Sequence, residues 1–219
     1  MSVLKIADIP IFLLEERIFH RWGRLVKRGM DIGISALLLV LFAPCWLLVA
    51  VGIRLESRGS IFFTHDRVGK GGRVFQMIKF RSMYEGADKQ HEELEPVGAK
   101  DALLRLPADA RVTHTGRFLR RFSIDEIPQL VNVLKGEMSL VGPRPDMPAE
   151  VAHYKEWHRR KFDVLSGMTG LTQVRGRKDL SLDEMIRLDI YYIENWSPLL
   201  DLQILLQTIP AVLDGKRAY

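Results

Sequence analysis

The sequence predicts an α+β fold in which a re-entrant membrane helix-break-helix precedes a mainly helical cytosolic domain with a small β-hairpin. Three observations predict it. Residues 32–53, "IGISALLLVLFAPCWLLVAVGI", carry no charge and hold Pro44 near their middle. The stretch "SIFFTHDRVGKGGRVFQMIKFRSM" reads as two strands around a glycine-rich turn at residues 69–72. Further on, apolar residues recur at helical spacing in separate stripes, one of them Ile127, Leu130, Val131 and Leu134.

The bulk properties narrow the function classes. A chain of 219 residues holds one ordinary domain and an appendage. At 47% hydrophobic and 27% charged residues it is neither disordered nor a polytopic membrane protein throughout. The net charge of +5 points to an anionic partner: nucleic acid, anionic lipid or a phosphorylated substrate. A single cysteine, Cys45, leaves no intrachain disulfide and no cysteine metal site, and fits a reducing cytoplasm.

Residues 1–27 are expected to form an amphipathic helix on the membrane surface. Ile11, Leu14, Ile18, Trp22 and Leu25 recur at helical spacing, and Arg17, Arg21, Arg24 and Arg28 recur one position away, with His20 and Lys27 on the same basic face. A short helix packed on the protein's own domain has the same pattern.

For residues 28–58 the simplest reading is one transmembrane helix, because about 22 residues at 1.5 Å rise reach roughly 33 Å. Two features oppose it. Pro44 removes a backbone hydrogen bond and bends a helix. Both flanks are basic, Arg24, Lys27 and Arg28 before and Arg54 and Arg58 after, so both ends ask for the cytoplasmic side. A hairpin that dips in and returns, broken near Pro44, satisfies both. The run is long and lacks a small-residue cleavage pattern, which speaks against a signal peptide.

Residues 59–219 form the soluble part. The hairpin turn is not a P-loop, since no Lys-Ser/Thr follows at the required spacing. Lys79 and Arg81 alternate at the end of the second strand and are expected on one face. Residues 85–109 read as a short helix and a mobile loop. Next comes "RFLRRFSIDEIPQLVNVLKGEMSLVGPRPDMP", in which Gly136 ends the helix carrying the Ile127 stripe. Pro128 is tolerated only in a first helical turn, which places Asp125 and Glu126 at or near that electropositive start. Ser123 and Glu126 stand at capping-box spacing, so plain capping is one explanation of the acids. Neighbouring helical positions diverge by about 100°, so if the pair does chemistry, its members have different jobs. Arg144 sits between two prolines, either as a fixed guanidinium or as part of a rigid surface turn. "SGMTGLTQVRGR" is turn-rich. Met185, Leu188, Tyr192 and Trp196 mark one helix, and a second is entered through Ser197 and Pro198.

The Pro-broken apolar segment, "MIKFRSM", "RFLRRFSIDEIPQLVNVLKGEMSLVGPRP", "GMTGLTQVRGR" and "YYIENWSPLLDLQIL", in this order, resemble the bacterial monotopic phosphoglycosyl transferases. These are polyprenyl-phosphate sugar-1-phosphate transferases that open glycoconjugate assembly. The resemblance runs over residues 27–212 and fits the short form. It implies a cytosolic catalytic domain on the cytoplasmic face of the bacterial inner membrane, acting on a nucleoside-diphosphate sugar, usually a UDP-sugar, and a polyprenyl phosphate held in membrane lipid. It further implies that Asp125 attacks the donor's β-phosphate and UMP leaves. The polyprenyl phosphate then takes the sugar phosphate from Asp125. Glu126 would hold Mg²⁺, and Lys79, Arg120 and Arg144 would neutralise the diphosphate. Arg177, Asp201 and Arg81 are implied in substrate binding or support of the site. Two departures stand out: Ala43 precedes Pro44 where some relatives carry Ser, and Thr172 stands where many carry Trp.

Two rival readings stay open at this point. His158 and Asp163 in "HRRKFD" have the spacing of a glycerolipid acyltransferase, although no companion phosphate-binding motif follows. A basic membrane-tethered scaffold fits the charge but gives the acidic pair no role. Nucleic acid is not expected as a partner, since no recognised motif or basic-aromatic array is present.

Overall fold

The computed structural model describes residues 2–6, 9–13, 21–87, 111–175 and 180–213, and over these the chain is a mixture of helices and small sheets. The expected loop at residues 88–110 lies outside the described residues.

The N-terminus corrects one expectation. β1 (Ser2–Ile6) and β2 (Ile9–Leu13) form an antiparallel ladder, with Val3 opposite Phe12. Ile11 therefore lies in a strand, as the β-branched and aromatic run "IPIFL" favours. Trp22, Arg24, Leu25 and Lys27 instead open α1 (Arg21–Leu41). Leu14, Arg17, Ile18 and His20 lie outside the described residues.

α2 (Ala43–Glu56) follows α1 at an angle of 64°. Pro44 sits in the first turn of α2, where its missing N–H has no helical acceptor to lose. The break thus falls at Phe42, just before the proline, with no side chain capping the new helix. Leu37, Val40, Leu41, Phe42, Leu47 and Leu48 around the elbow are exposed. Among the described residues no single helix is long and apolar enough to cross a membrane, whereas the bent pair together is.

Both ends of the pair are tied to the rest of the fold. On α1, Arg28 donates to the carbonyls of Val133 and Leu134 at 2.6 and 2.8 Å, and buried Asp31 accepts from Leu140 N and Ser139 Oγ at 3.0 and 3.1 Å. On α2, the Glu56 carboxylate accepts the amides of His114 and Thr115 at 2.5 and 2.8 Å.

β3 (Phe62–Val68) and β4 (Val74–Phe80) form the expected hairpin, with Phe63 opposite Lys79 and Arg67 opposite Phe75. Its turn needs Gly71 and Gly72 at φ of 66° and 73°, a region that costs other residues. α3 (His114–Arg121) is capped by Thr113 Oγ1, which accepts Gly116 N at 2.8 Å. A 3₁₀ turn (Ile124–Glu126) leads to α4 (Gln129–Lys135), which Gly136 ends at φ 85°. Buried Asn132 on α4 pairs with the β4 backbone, accepting Ile78 N at 3.0 Å and donating to Gln76 O at 2.8 Å, and so locks α4 to the hairpin.

β5 (Met138–Val141) pairs in parallel with β6 (Ser166–Thr169), where the sequence reads only as turn-rich. Glycines allow the approach: a Cβ on Gly167 would stand 2.1 Å from Gly142 N. Between these strands lie α5 (Pro148–Val151) and a 3₁₀ segment (Glu156–Asp163). After them come α6 (Leu171–Val174), α7 (Leu182–Glu194) and α8 (Pro198–Leu213). Val133, Met138, Ile193 and Ile204 pack into one core beneath α1. Each such apolar side chain removed from water contributes about 1.5–3 kcal/mol.

Candidate active site

Three elements converge on the acidic pair. The 3₁₀ turn presents Asp125 and Glu126 in different directions. Asp125 is buried, at 3% exposure, while the Glu126 side chain is about a third open, at 36%. Consecutive side chains in such a turn diverge by about 120°. The capping-box explanation is corrected. Ser123 has a left-handed backbone, φ 52°, its hydroxyl caps nothing, and only its carbonyl meets Glu126 N, at 3.2 Å. Ser123 is the only non-glycine with positive φ among the described residues, so backbone strain sits directly before the turn that carries the acids.

Lys79 comes from β4. Its Nζ lies 2.7 Å from Glu126 Oε1, with 15% of the side chain exposed. Arg120 comes from the last turn of α3, where its Nε donates to Ser82 Oγ at 2.8 Å. Gly116 lets α3 press on the backbone at Ser82, since a Cβ there would meet Ser82 O at 2.0 Å. Arg144 comes from the Pro-Arg-Pro loop, which is pinned twice. Val68 N donates to Asp146 O at 2.9 Å, and buried Lys161 stands 2.6 Å from Asp146 Oδ2 and 3.2 Å from Asp189 Oδ2.

The electrostatics separate the two acids. Burial pushes the Asp125 carboxyl up to about 6, Glu126 adds to the push, and Lys79 and Arg120 restrain it. One Asp125 oxygen, Oδ1, is buried without a hydrogen-bond partner. Burial would raise Glu126 as well, but Lys79, then Arg144 and Arg67, outweigh it and hold Glu126 below the ordinary carboxylate range. The arrangement can therefore offer an under-solvated carboxylate to an electrophile while a neighbouring carboxylate stays ionised among cations.

The structure brings together Asp125, Glu126, Lys79, Arg120 and Arg144. Arg81 is not brought to them. β4 ends at Phe80, and the Arg81 guanidinium donates to Ser57 O and Arg58 O, each at 2.7 Å, clasping the end of α2. Asp201 also works elsewhere. It is buried and joins α8 to α1 and α7, with Lys27 Nζ at 2.7 Å, the Tyr192 hydroxyl at 2.7 Å and Trp196 Nε1 at 3.2 Å. Arg177 lies outside the described residues.

Asp201→Asn is expected to cost about 2–3 kcal/mol of stability in denaturant unfolding. That is at or below the usual cost of orphaning a buried charge, because Asp31 remains 3.7 Å from Lys27. Donor KM should stay near its wild-type value. A raised KM with unchanged stability would instead return Asp201 to substrate binding.

The His158–Asp163 pairing is not formed. His158 is buried, its Nε2 faces Asp183 Oδ1 at 3.0 Å and its Nδ1 accepts Lys155 N at 3.2 Å. A histidine with both ring nitrogens engaged and no contact to Asp163 lacks the acyltransferase geometry. Thr172 is buried and donates to Asp189 Oδ1 at 2.7 Å, so the departure from Trp feeds the network behind the Arg144 loop.

Sequence reasoning missed His65 and Arg67. By strand alternation they share the Lys79 face of the hairpin. Burial, Arg67 and Lys79 push the His65 imidazole down to about 3, so it is neutral at physiological pH. Their signal was present in the hairpin, but only once the register was known.

A family model described as bacterial sugar transferase matches residues 22–215. The exopolysaccharide production protein ExoY of Rhizobium meliloti is 38% identical over all of this chain and 99% of its own length. The UDP-glucose:undecaprenyl-phosphate glucose-1-phosphate transferase of Caulobacter vibrioides is 41% identical over 88% of this chain and 72% of its own. The undecaprenyl-phosphate galactose phosphotransferase of Salmonella typhimurium is 35% identical over 100% of this chain and 47% of its own.

Proposed function

The chain belongs to the bacterial sugar transferase family and is a phosphoglycosyl transferase, and from that premise we propose that it transfers a sugar 1-phosphate from a UDP-sugar to a polyprenyl phosphate through a covalent intermediate on Asp125. The observation that carries this reading is the buried Asp125, with one unpartnered oxygen, next to an ionised Glu126 and ringed by Lys79, Arg120 and Arg144.

Phosphoryl transfer asks for alignment and charge neutralisation more than for proton transfer, and this site supplies cations on three separate elements. In the first step an Asp125 oxygen bonds to the β-phosphorus. The bond to the bridging oxygen breaks, and UMP leaves with that electron pair. In the second step an oxygen of the polyprenyl phosphate bonds to the same phosphorus, and Asp125 departs as a carboxylate. Two easier displacements replace one difficult one.

Among the described residues there is no cluster of three His, Cys, Asp or Glu that would cage a metal. Mg²⁺ commonly takes one or two protein carboxylates and completes its shell with phosphate oxygens and water. Ionised Glu126 beside phosphate-binding cations fits that requirement and would be its protein ligand. When bound, the ion would neutralise negative charge on the diphosphate.

A polyprenyl phosphate keeps its tail in lipid, so the site must stand at the headgroup plane. The uncovered apolar elbow between α1 and α2 and the docking of both ends on the rest of the fold support a re-entrant dip. We place the catalytic domain on the cytoplasmic face of the bacterial inner membrane.

The test uses the full chain in lipid nanodiscs with Mg²⁺, polyprenyl phosphate and a UDP-sugar panel that includes UDP-glucose and UDP-galactose. UMP release that depends on the acceptor is expected with at least one donor. Acyl-CoA hydrolysis without UMP, or inertness toward every donor, would refute the reading.

A further inference from the structure

We propose that Arg67, together with Arg144, grips the phosphate that departs with the nucleotide, so that the donor's two phosphates are divided between two pairs of cations. This rests on the reading given under Proposed function and adds a binding residue to it.

Arg67 sits at the far end of β3 with only 8% exposure, and its Nε has no hydrogen-bond partner. Burying a guanidinium is costly unless an anion or full hydrogen bonding compensates it. The Val68–Asp146 bridge seats the Arg144 loop against this end of the strand, two residues from Arg144 on one side and one from Arg67 on the other. The two positive charges oppose each other there, and burial and Arg144 lower Arg67 against the opposing pull of Glu150, Asp146 and Glu126, none of them at ion-pair distance from it. Neither forms an ion pair among the described residues. Prolines on both sides, and Lys161 holding Asp146, keep Arg144 from swinging away. Two neighbouring guanidiniums, with no carboxylate at ion-pair distance from either among the described residues, form a receptor for an oxyanion.

The place along the hairpin says which oxyanion. Lys79, 2.7 Å from Glu126, stands at the end that meets the acidic pair, and Arg67 and the Arg144 loop stand at the other. Along β3, Arg67 is four residues from Phe63, the partner of Lys79, or about 13 Å at 3.3 Å per residue. In an in-line displacement the leaving oxygen lies opposite the nucleophile. With Asp125 at one end, the second pair faces the leaving phosphate. His65 lies between the two ends on the same face, its Nε2 unpartnered, as an uncharged neighbour for the diphosphate.

The experiment measures UMP and uridine affinity by equilibrium titration on full-length protein in nanodiscs, and the exchange of labelled UMP into UDP-glucose or UDP-galactose without acceptor. Wild-type protein should exchange the label; absence of exchange would refute the covalent reading itself. Given exchange, Arg67→Met should weaken UMP binding and raise donor KM at least about tenfold, with uridine affinity unchanged. Arg67→Lys, which keeps the charge and loses the fork, should weaken UMP at least about threefold. If Arg67→Met does not fold, the Lys variant decides by the same ratio of UMP to uridine. UMP affinity within twofold of wild type in the folded variants, or equal losses for UMP and uridine, would overturn the assignment.

Discussion

Asp125→Asn is expected to lower transfer by at least about 10⁴-fold and, in the same protein, to raise its thermal stability. The first effect follows from removing a nucleophile, whose role the surrounding cations cannot take over. The second follows from the burial of the carboxylate. Its folded value of about 6 lies above the ordinary 3.8, so the folded state holds the proton more tightly than the unfolded chain. Stability therefore falls as pH rises from about 4 to 6, and the full penalty applies above that. Two units correspond to on the order of 2–3 kcal/mol. The amide removes the penalty, so the variant should melt about 4–8 °C higher at pH 8. The gain should shrink as pH is lowered below 6 and vanish below about 3.8, where both states are protonated. Thermal unfolding of substrate-free protein across that range checks it. A variant less stable than wild type at pH 8 would contradict the account of Asp125.

Lys79→Met should lower kcat by about 10³-fold, a loss of about 4 kcal/mol of transition-state stabilisation. Its ammonium serves two acids at once. It holds Glu126 at 2.7 Å, and it restrains the rise of Asp125. Without it, Glu126 loses the largest influence lowering its pKa. Asp125, with burial and Glu126 still raising it and Arg120 and a backbone hydrogen bond opposing, should titrate above 6. The acidic limb of the kcat–pH profile should then move to higher pH, because the nucleophile must be ionised. A rate loss with an unmoved limb would assign Lys79 to substrate alone.

Much of this site was legible in the chain because its constraints are local. Pro128 admits nothing deeper than a first turn and stands as the cap just before α4, which leaves Asp125 and Glu126 in the turn leading into that helix, and Gly136 ends α4 as its left-handed preference requires. Pro44 and the basic flanks announced the break between α1 and α2. What local pattern could not supply were contacts between distant segments. β6 reads as turn because four residues, one of them a glycine, carry little strand signal, and its partner β5 is far away in sequence. Arg81 was expected beside Lys79 by alternation, but the strand stops one residue earlier, and the Ser57 and Arg58 carbonyls just past α2 claim its guanidinium. Asp201 and Lys27 are 174 residues apart, and nothing in either segment foretells the ion pair. Arg67 needed the hairpin register together with the Asp146 bridge before its place was visible.

The most direct test of the central claim is rapid quenching of wild-type protein with Mg²⁺ and a productive UDP-sugar in the absence of acceptor, followed by peptide mass spectrometry. A phosphosugar on the Asp125 side chain, discharged when polyprenyl phosphate is added, is the predicted result. UMP formation with the phosphosugar on another residue, or with no covalent protein species at all, would contradict it.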